Sequence, residues 1–309
     1  MIPLKNTSTR DESRLSQASQ SQLWVAQKIL VFVPTTQTCS FRKTLSMLKA
    51  LYTSATGMKA QEMLIDNTAN NLANVNTHGF RRSRVDFADL VYNTIRQPGS
   101  AVSNTQVSPT GLQIGNGVRV VGTTKQFMQG TLERSEGKLD VAIEGEGFFE
   151  VQLPGGEPRY TRHGSFKVDG EGQIVNADGY LLNPPITVPA GVTNLSIGVD
   201  GTVSGSQDGD TANRVDLGQI QLSNFLNPAG LSSEGSNLLA QTAASGDAVV
   251  GNASDPGFGV LRHGFLEGSN VELVTEMISL ISAQRAYEVN SRAIRAGDEM
   301  LSTATDVLR

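Results

Sequence analysis

The sequence predicts an α+β protein, with long N- and C-terminal helices forming a coiled-coil domain and a central all-β domain, barrel- or sandwich-like. Three observations carry this reading. Leu273, Leu280, Tyr287, Ile294, Leu301 and Leu308 recur every seven residues towards the C-terminus. Leu48, Leu51, Ala55, Met58, Ile65, Ala69 and Leu72 form a similar stripe near the other end, interrupted by Glu62. Between them lie short alternating runs punctuated by Asp-Gly pairs. A heptad of large apolar side chains lays one helix face against another helix, whereas period-two alternation makes half-buried strands.

Composition sets the bounds. The 309 residues carry a formal charge of −5, which argues against a nucleic-acid partner. Gly is abundant at 32 residues and aromatics reach only 6%, the balance of a turn-rich β protein. A single cysteine, Cys39, excludes an intrachain disulfide. No apolar run approaches the ~20 residues that would cross a membrane, so no membrane insertion is expected.

Residues 1–46 differ from the rest. Six Lys/Arg against Asp11 and Glu12 give this segment +4, leaving −9 on residues 47–309. It reads as a disordered extension or a mis-assigned start ahead of Met47. The apolar stretch at residues 29–33 is too short, and comes too late, for a signal peptide.

From Met47 the pattern predicts a helix to about Val75, within an N-terminal segment of residues 47–80. Asn76 and Gly79 can take the left-handed conformation that closes it. Residues 81–96 fit a short helix or an extended chain, and residues 97–117, polar and holding Pro98 and Pro109, a long loop or hairpin. This region, residues 81–136, reads as a linker.

The β domain is expected over residues 137–225, with strands near 139–143, 148–153, 159–162, 165–168, 173–175, 180–182, 195–199 and 218–222. Asp169-Gly170, Asp178-Gly179 and Asp200-Gly201 are hairpin turns by type and spacing. Residues 226–268 read as an irregular connection. The last helix, within residues 269–309, is expected to start at a capping box, Ser269-Asn270-Val271-Glu272. Three residues on from its heptad comes a row of small residues, Ala283, Asn290, Gly297 and Ala304, with Glu276 as the one charge. Val274, Ile278, Ile281, Val289, Ala293 and Met300 add apolar residues off the heptad. That second face asks for neighbours this chain does not supply, so packing between subunits is expected.

No arrangement for chemistry stands out, and no catalytic, cofactor or metal site is expected. His78, His163 and His263 each precede Gly and are read as turn residues. Gly145-Glu146-Gly147 lacks the rest of a dinucleotide fingerprint and is read as a hairpin turn. Asp208-Gly209-Asp210 lacks the spaced ligands of a calcium loop. Arg81, Arg82 and Arg84, followed by Asp86 and Asp89, suggest a solvated or salt-bridged face.

Residues 69–81, Ala-Asn-Asn-Leu-Ala-Asn-Val-Asn-Thr-His-Gly-Phe-Arg, resemble the N-terminal motif of the bacterial flagellar rod and hook family, with Asn71, Leu72, Ala73, Asn74, Thr77, Gly79 and Phe80 as its core. Ser269-Asn270-Val271, Glu276-Met277 and the run from Gln284, Arg285, Ala286 and Tyr287 to Asn290 are similar to its other end. Residues 144–149 and 160–166 resemble its middle domain, and residues 92–118 resemble an insertion of the member that builds the distal rod. The resemblance covers residues 47–309. It implies a non-enzymatic subunit of the flagellar basal body, spanning the periplasm and exported without a cleaved signal peptide. It also implies a helical tube of identical subunits that passes motor torque to the hook. The implied partners are further copies of the chain, proximal rod and hook subunits, the P- and L-ring bushing and the export apparatus. The alternatives are another axial subunit of the family, or a secreted wall-degrading enzyme, which would need a carboxylate pair or metal cluster that the sequence does not display.

Overall fold

The computed structural model describes residues 37–99, 101–103, 106–107, 109–207 and 214–306. Side chains up to Leu48, the 208–210 tripeptide and Leu308 lie outside what it describes, as do residues 1–36. The chain divides into two compact units, residues 1–52 and 53–309. The described part of the first is helix, and this helix, α1, spans Gln37–Ala73. It therefore starts ten residues ahead of the expected Met47, within the segment read as disordered. No Pro or Gly occurs between Gln37 and Thr56, so nothing in that stretch breaks a helix.

In the second unit, α1 runs down to Ala73 and gives way to a turn in which the Asn74 N–H still reaches the Asn70 carbonyl (3.2 Å). Gly79 then takes φ +72°. The chain leaves as a two-stranded antiparallel arm. Ser83–Asp89 pairs with Val118–Lys125, Asn93–Arg96 with Leu112–Ile114, and Ala101–Ser103 with Gln106–Val107. Residues 81–96 thus resolve to extended chain. Val85 is buried on one face of the ladder, and Phe87 and Ile95 stay exposed, which suits a ribbon better than an amphipathic helix.

The β region is a set of antiparallel sheets, not the closed barrel that was one form expected. Its largest sheet runs in the order Lys167–Val168, Ile174–Val175, Leu181–Leu182, Phe148–Gln152, Pro158–Thr161, Leu238–Ala240, Ser232–Gly235, with Gln221–Asn224 and Val249–Asn252 branching from it. Val192–Ile197, Thr202–Gln207 and Arg214–Gln219 make a second sheet. No closed barrel forms among the described residues, because the first sheet ends in two free edges, Lys167–Val168 and Ser232–Gly235. The three Asp-Gly pairs do join paired strands, with positive φ at Gly172, Gly179 and Gly201.

Phe148–Gln152 lies between two cores, since successive side chains of a strand point to opposite faces. Phe149 joins Val141, Ile143, Ile174, Leu182 and Leu222 on one side. Phe148 joins Tyr160, Phe225, Leu231 and Leu239 on the other. Each fully buried side chain of this kind contributes roughly 2–3 kcal/mol.

Two expectations fail in the second half. Residues 226–268 hold five strands, and two of them close the domain: Val260–His263 pairs with Val141–Glu144, and Phe265–Glu267 with Leu132–Arg134. Gly145-Glu146-Gly147 is not a hairpin turn. The strands on either side of it pair with different partners, and Gly145 (φ +112°) and Gly147 (φ +126°) form a corner that moves the chain from one sheet to the next.

Candidate assembly face and the junction that carries it

The second helix, α2, spans Leu273–Asp306 and lies antiparallel to α1. Two contacts fix this: Asn290 sits against Gly57, and Asn71 Nδ2 donates to Glu276 Oε2 (3.4 Å). Fourteen residues separate the contacts on each helix, so the two run together for about 21 Å. The expected capping box does not form. The Ser269 hydroxyl accepts from the Val271 N–H (3.3 Å), and the Glu272 carboxylate takes the Thr275 hydroxyl (2.8 Å).

The structure does not show the coiled coil that the heptads predicted. The most buried residues of α2 are Glu276 and Ala283, both 2% exposed, from the small row and not the large one. Leu273 (44%) and Tyr287 (40%) are exposed, and Leu280, Ile294 and Leu301 half-buried. On α1 the buried residues are Ala60, Thr68 and Asn71, whereas Leu51, Met58, Ile65 and Leu72 are half-buried and Ala55 and Ala69 exposed. Small side chains let two backbones approach: a Cβ on Gly57 would stand 3.0 Å from Asn290 Nδ2. The large residues are left on the flanks. Val274 (62%), Ile278 (63%), Ile281 and Val289 form an exposed stripe, roughly opposite the small row at 100° per residue.

The motif residues divide by role. Asn71 is 1% exposed, its amide accepting from the Ser83 N–H (3.0 Å) and donating to the Ser83 carbonyl (2.8 Å), which ties the end of α1 to the arm. Gly79 and Phe80 are buried and Asn74, Thr77, Ala286 and Asn290 partly so, while Ala73, Gln284 and Arg285 face solvent.

Helices, arm and β domain meet at a buried ionic cluster. Glu267, on the strand Phe265–Glu267, accepts from Arg81 Nη2 (2.6 Å) and the Gly130 N–H (3.0 Å) through Oε1, and from Arg162 Nη1 (3.3 Å) through Oε2. Arg162 also donates to the Gly145 carbonyl (2.8 Å) and lies 5.2 Å from the Phe148 ring centre. Burial pulls the Arg162 guanidinium down to about 10, against the opposing pull of Glu267, so it stays charged at neutral pH. Next to this cluster, Arg82 pairs with Glu276, the lone charge of the small row, and the Arg82 N–H donates to Asn270 Oδ1 (2.7 Å). Only Arg84, paired with Asp86 at 3.0 Å, sits on the salt-bridged surface predicted for all three arginines. The sequence offered no signal for Glu267, and for Arg162 only its place in the run 160–166 that resembles the family's middle domain. For Glu276 the signal was its place in a row of small residues.

The rings of His78 and His163 lie parallel, with centroids 6.4 Å apart. Burial, then the neighbouring His78, hold His163 below the ordinary histidine value, against Asp140 and Asp178. The folded chain therefore binds fewer protons than the unfolded one as pH falls below about 6.5, and stability is lost on acidification. Thermal melts from pH 8 to pH 5 should show that fall, and His163→Gln should flatten it; an unchanged slope would refute the assignment.

Three stretches match known families: residues 51–81 "Flagella basal body rod protein", residues 142–205 "Flagellar hook protein FlgE/F/G D1 domain", and residues 262–307 "Flagellar basal body rod FlgEFG protein C-terminal". Among curated relatives, the flagellar basal-body rod protein FlgG of Caulobacter vibrioides is 45% identical over 263 residues, 85% of this chain and 100% of that protein. FlgG of Buchnera aphidicola subsp. Schizaphis graminum is 46% identical over 255 residues, 82% of this chain and 98% of the relative. FlgG of Bacillus subtilis is 40% identical over 270 residues, with 85% and 100% covered. The buried Asn71, Gly79 and Glu276 fall inside these matches. The chain belongs to the FlgG family of flagellar basal-body rod proteins.

Proposed function

We propose that the chain is a structural, non-enzymatic subunit of the flagellar distal rod that assembles with copies of itself into a hollow drive shaft and transmits motor torque to the hook. The observation that carries this, beside the family, is the exposed stripe Val274, Ile278, Ile281 and Val289 on α2. A solvated helix of a monomer has no use for four large apolar side chains on one face. In this reading Leu48, Leu51, Ala55, Met58, Ile65, Ala69 and Leu72 line the tube from α1, and the heptad from Leu273 to Leu308 lines it from α2. Its ends meet proximal rod and hook subunits, its outside meets the P- and L-ring bushing, and the chain is delivered by the export apparatus without a cleaved signal peptide.

The expected result for Ile278→Asp, or for Tyr287→Asp, is loss of rod assembly with monomer stability changed by no more than about 0.5 kcal/mol. Electron microscopy of basal bodies together with a melt of the monomer reads both. Normal rods and motility from either variant would overturn the assignment.

A further inference from the structure

A cleft of about 520 Å³ opens between the end of α1, the base of the arm and the hairpin of Ser232–Gly235 with Leu238–Ala240. Asn70, Asn74, Ser83, Thr123 and Asn237 line it, with Lys125 as its one cation and no carboxylate. Lys125 is half-buried, its ammonium 5.9 Å from the centre of the buried Phe80 ring. Among the described residues no carboxylate lies within ion-pair distance of it. Burial, and then the charge of Arg81, itself engaged with Glu267, lower the Lys125 value. In a chain with 30 acids against 25 bases, a half-buried cation without an anion is an unfilled position.

The rim is preset for an extended partner. Ser236 (φ +48°) and Asn237 (φ +58°) form the turn of its hairpin, which Asn237 Nδ2 pins by donating to the His78 carbonyl (2.9 Å). Ser232–Gly235 is a free outer edge of the large sheet, where backbone groups can receive another chain. At the opposite edge of the same sheet, Lys167–Val168 turns back through Asp169-Gly170-Glu171, an exposed tip with two carboxylates, neither in an ion pair.

We propose that this cleft docks the Asp169-Gly170-Glu171 tip of a second copy of the chain, one carboxylate pairing with Lys125. The reading rests on self-assembly as proposed above. Donor and acceptor occupy opposite edges of one sheet, so the contact is heterologous and propagates from copy to copy instead of closing a dimer. This tip carries the charge that Lys125 lacks and flanks the opposite free edge of the sheet.

The test begins with the full-length chain, assembled from equal parts ¹⁵N-labelled and unlabelled protein and treated with a zero-length carbodiimide. Mass spectrometry is expected to find Lys125 joined to Asp169 or Glu171 across labelled and unlabelled copies. Assemblies in which Lys125 is unlinked, or linked to another carboxylate, overturn the proposal. Lys125→Glu should weaken assembly about tenfold, Lys125→Arg should preserve it, and adding Asp169→Lys with Glu171→Lys to Lys125→Glu should restore it. Wild-type assembly by Lys125→Glu, or no recovery in the charge swap, also overturns it. A wild-type chain that stays monomeric under all conditions overturns self-assembly itself, and this contact with it.

Discussion

Replacing Gly79 by alanine is expected to cost about 3 kcal/mol or more of stability, enough to unfold a marginal domain. Two effects add. At φ +72° an L side chain already costs roughly 1–2 kcal/mol. A Cβ there would also stand 2.7 Å from the His163 nitrogen and 2.9 Å from the Arg162 carbonyl carbon, both backbone atoms. Neither can move cheaply, because the Gly79 N–H donates to the Glu267 carbonyl (2.8 Å) at the same point. Gly155→Ala is the control: its Cβ would meet nothing within 4 Å, and its change should be small. Equilibrium denaturation of the purified monomers compares the two, and equal stability would remove Gly79 from the junction argument.

Glu267→Gln should cost about 3–5 kcal/mol in the same measurement. The substitution keeps the volume and an acceptor for Gly130, but it leaves Arg81 and Arg162 buried side by side with no counter-charge between them. The loss comes from the stranded charges, not from the pair's own strength. Hence Arg81→Met with Arg162→Met in the Glu267→Met background should recover part of it, short of the bond that Arg162 makes to Gly145. A triple variant less stable than Glu267→Gln would contradict this account.

Much of the architecture was readable because it is local. Long helices announce themselves by periodicity, and Asp-Gly pairs mark the turns of Lys167–Val168 with Ile174–Val175 and of Val192–Ile197 with Thr202–Gln207. What stayed hidden depends on distance along the chain. Leu132 faces Glu267 across a three-residue ladder, too short to show alternation and too far apart to suggest a partner. The seam between the two helices of one chain was not legible in the heptads for a physical reason. Large apolar residues dominate a pattern search, yet side-by-side backbones select Gly57, Ala60, Ala283 and Asn290. Buried charge leaves no periodic trace, so Arg81 and Arg82 looked like surface.

The pairing of Leu132–Arg134 with Phe265–Glu267 determines how the molecule would yield under load. The chain passes from the helical end into the β domain at Leu132 and returns at Glu267, and these two residues are the first rung of the ladder. A pull that parts them would unzip the rungs singly, the weak direction for a ribbon. The Gly268 N–H bond to the Thr131 carbonyl (2.7 Å) and the Glu267 carboxylate on Gly130 stand at that rung like a rivet at the end of a seam. Single-molecule pulling across this end should therefore show rupture force falling sharply with Glu267→Gln, because Glu267 stands at the loaded end of the ladder.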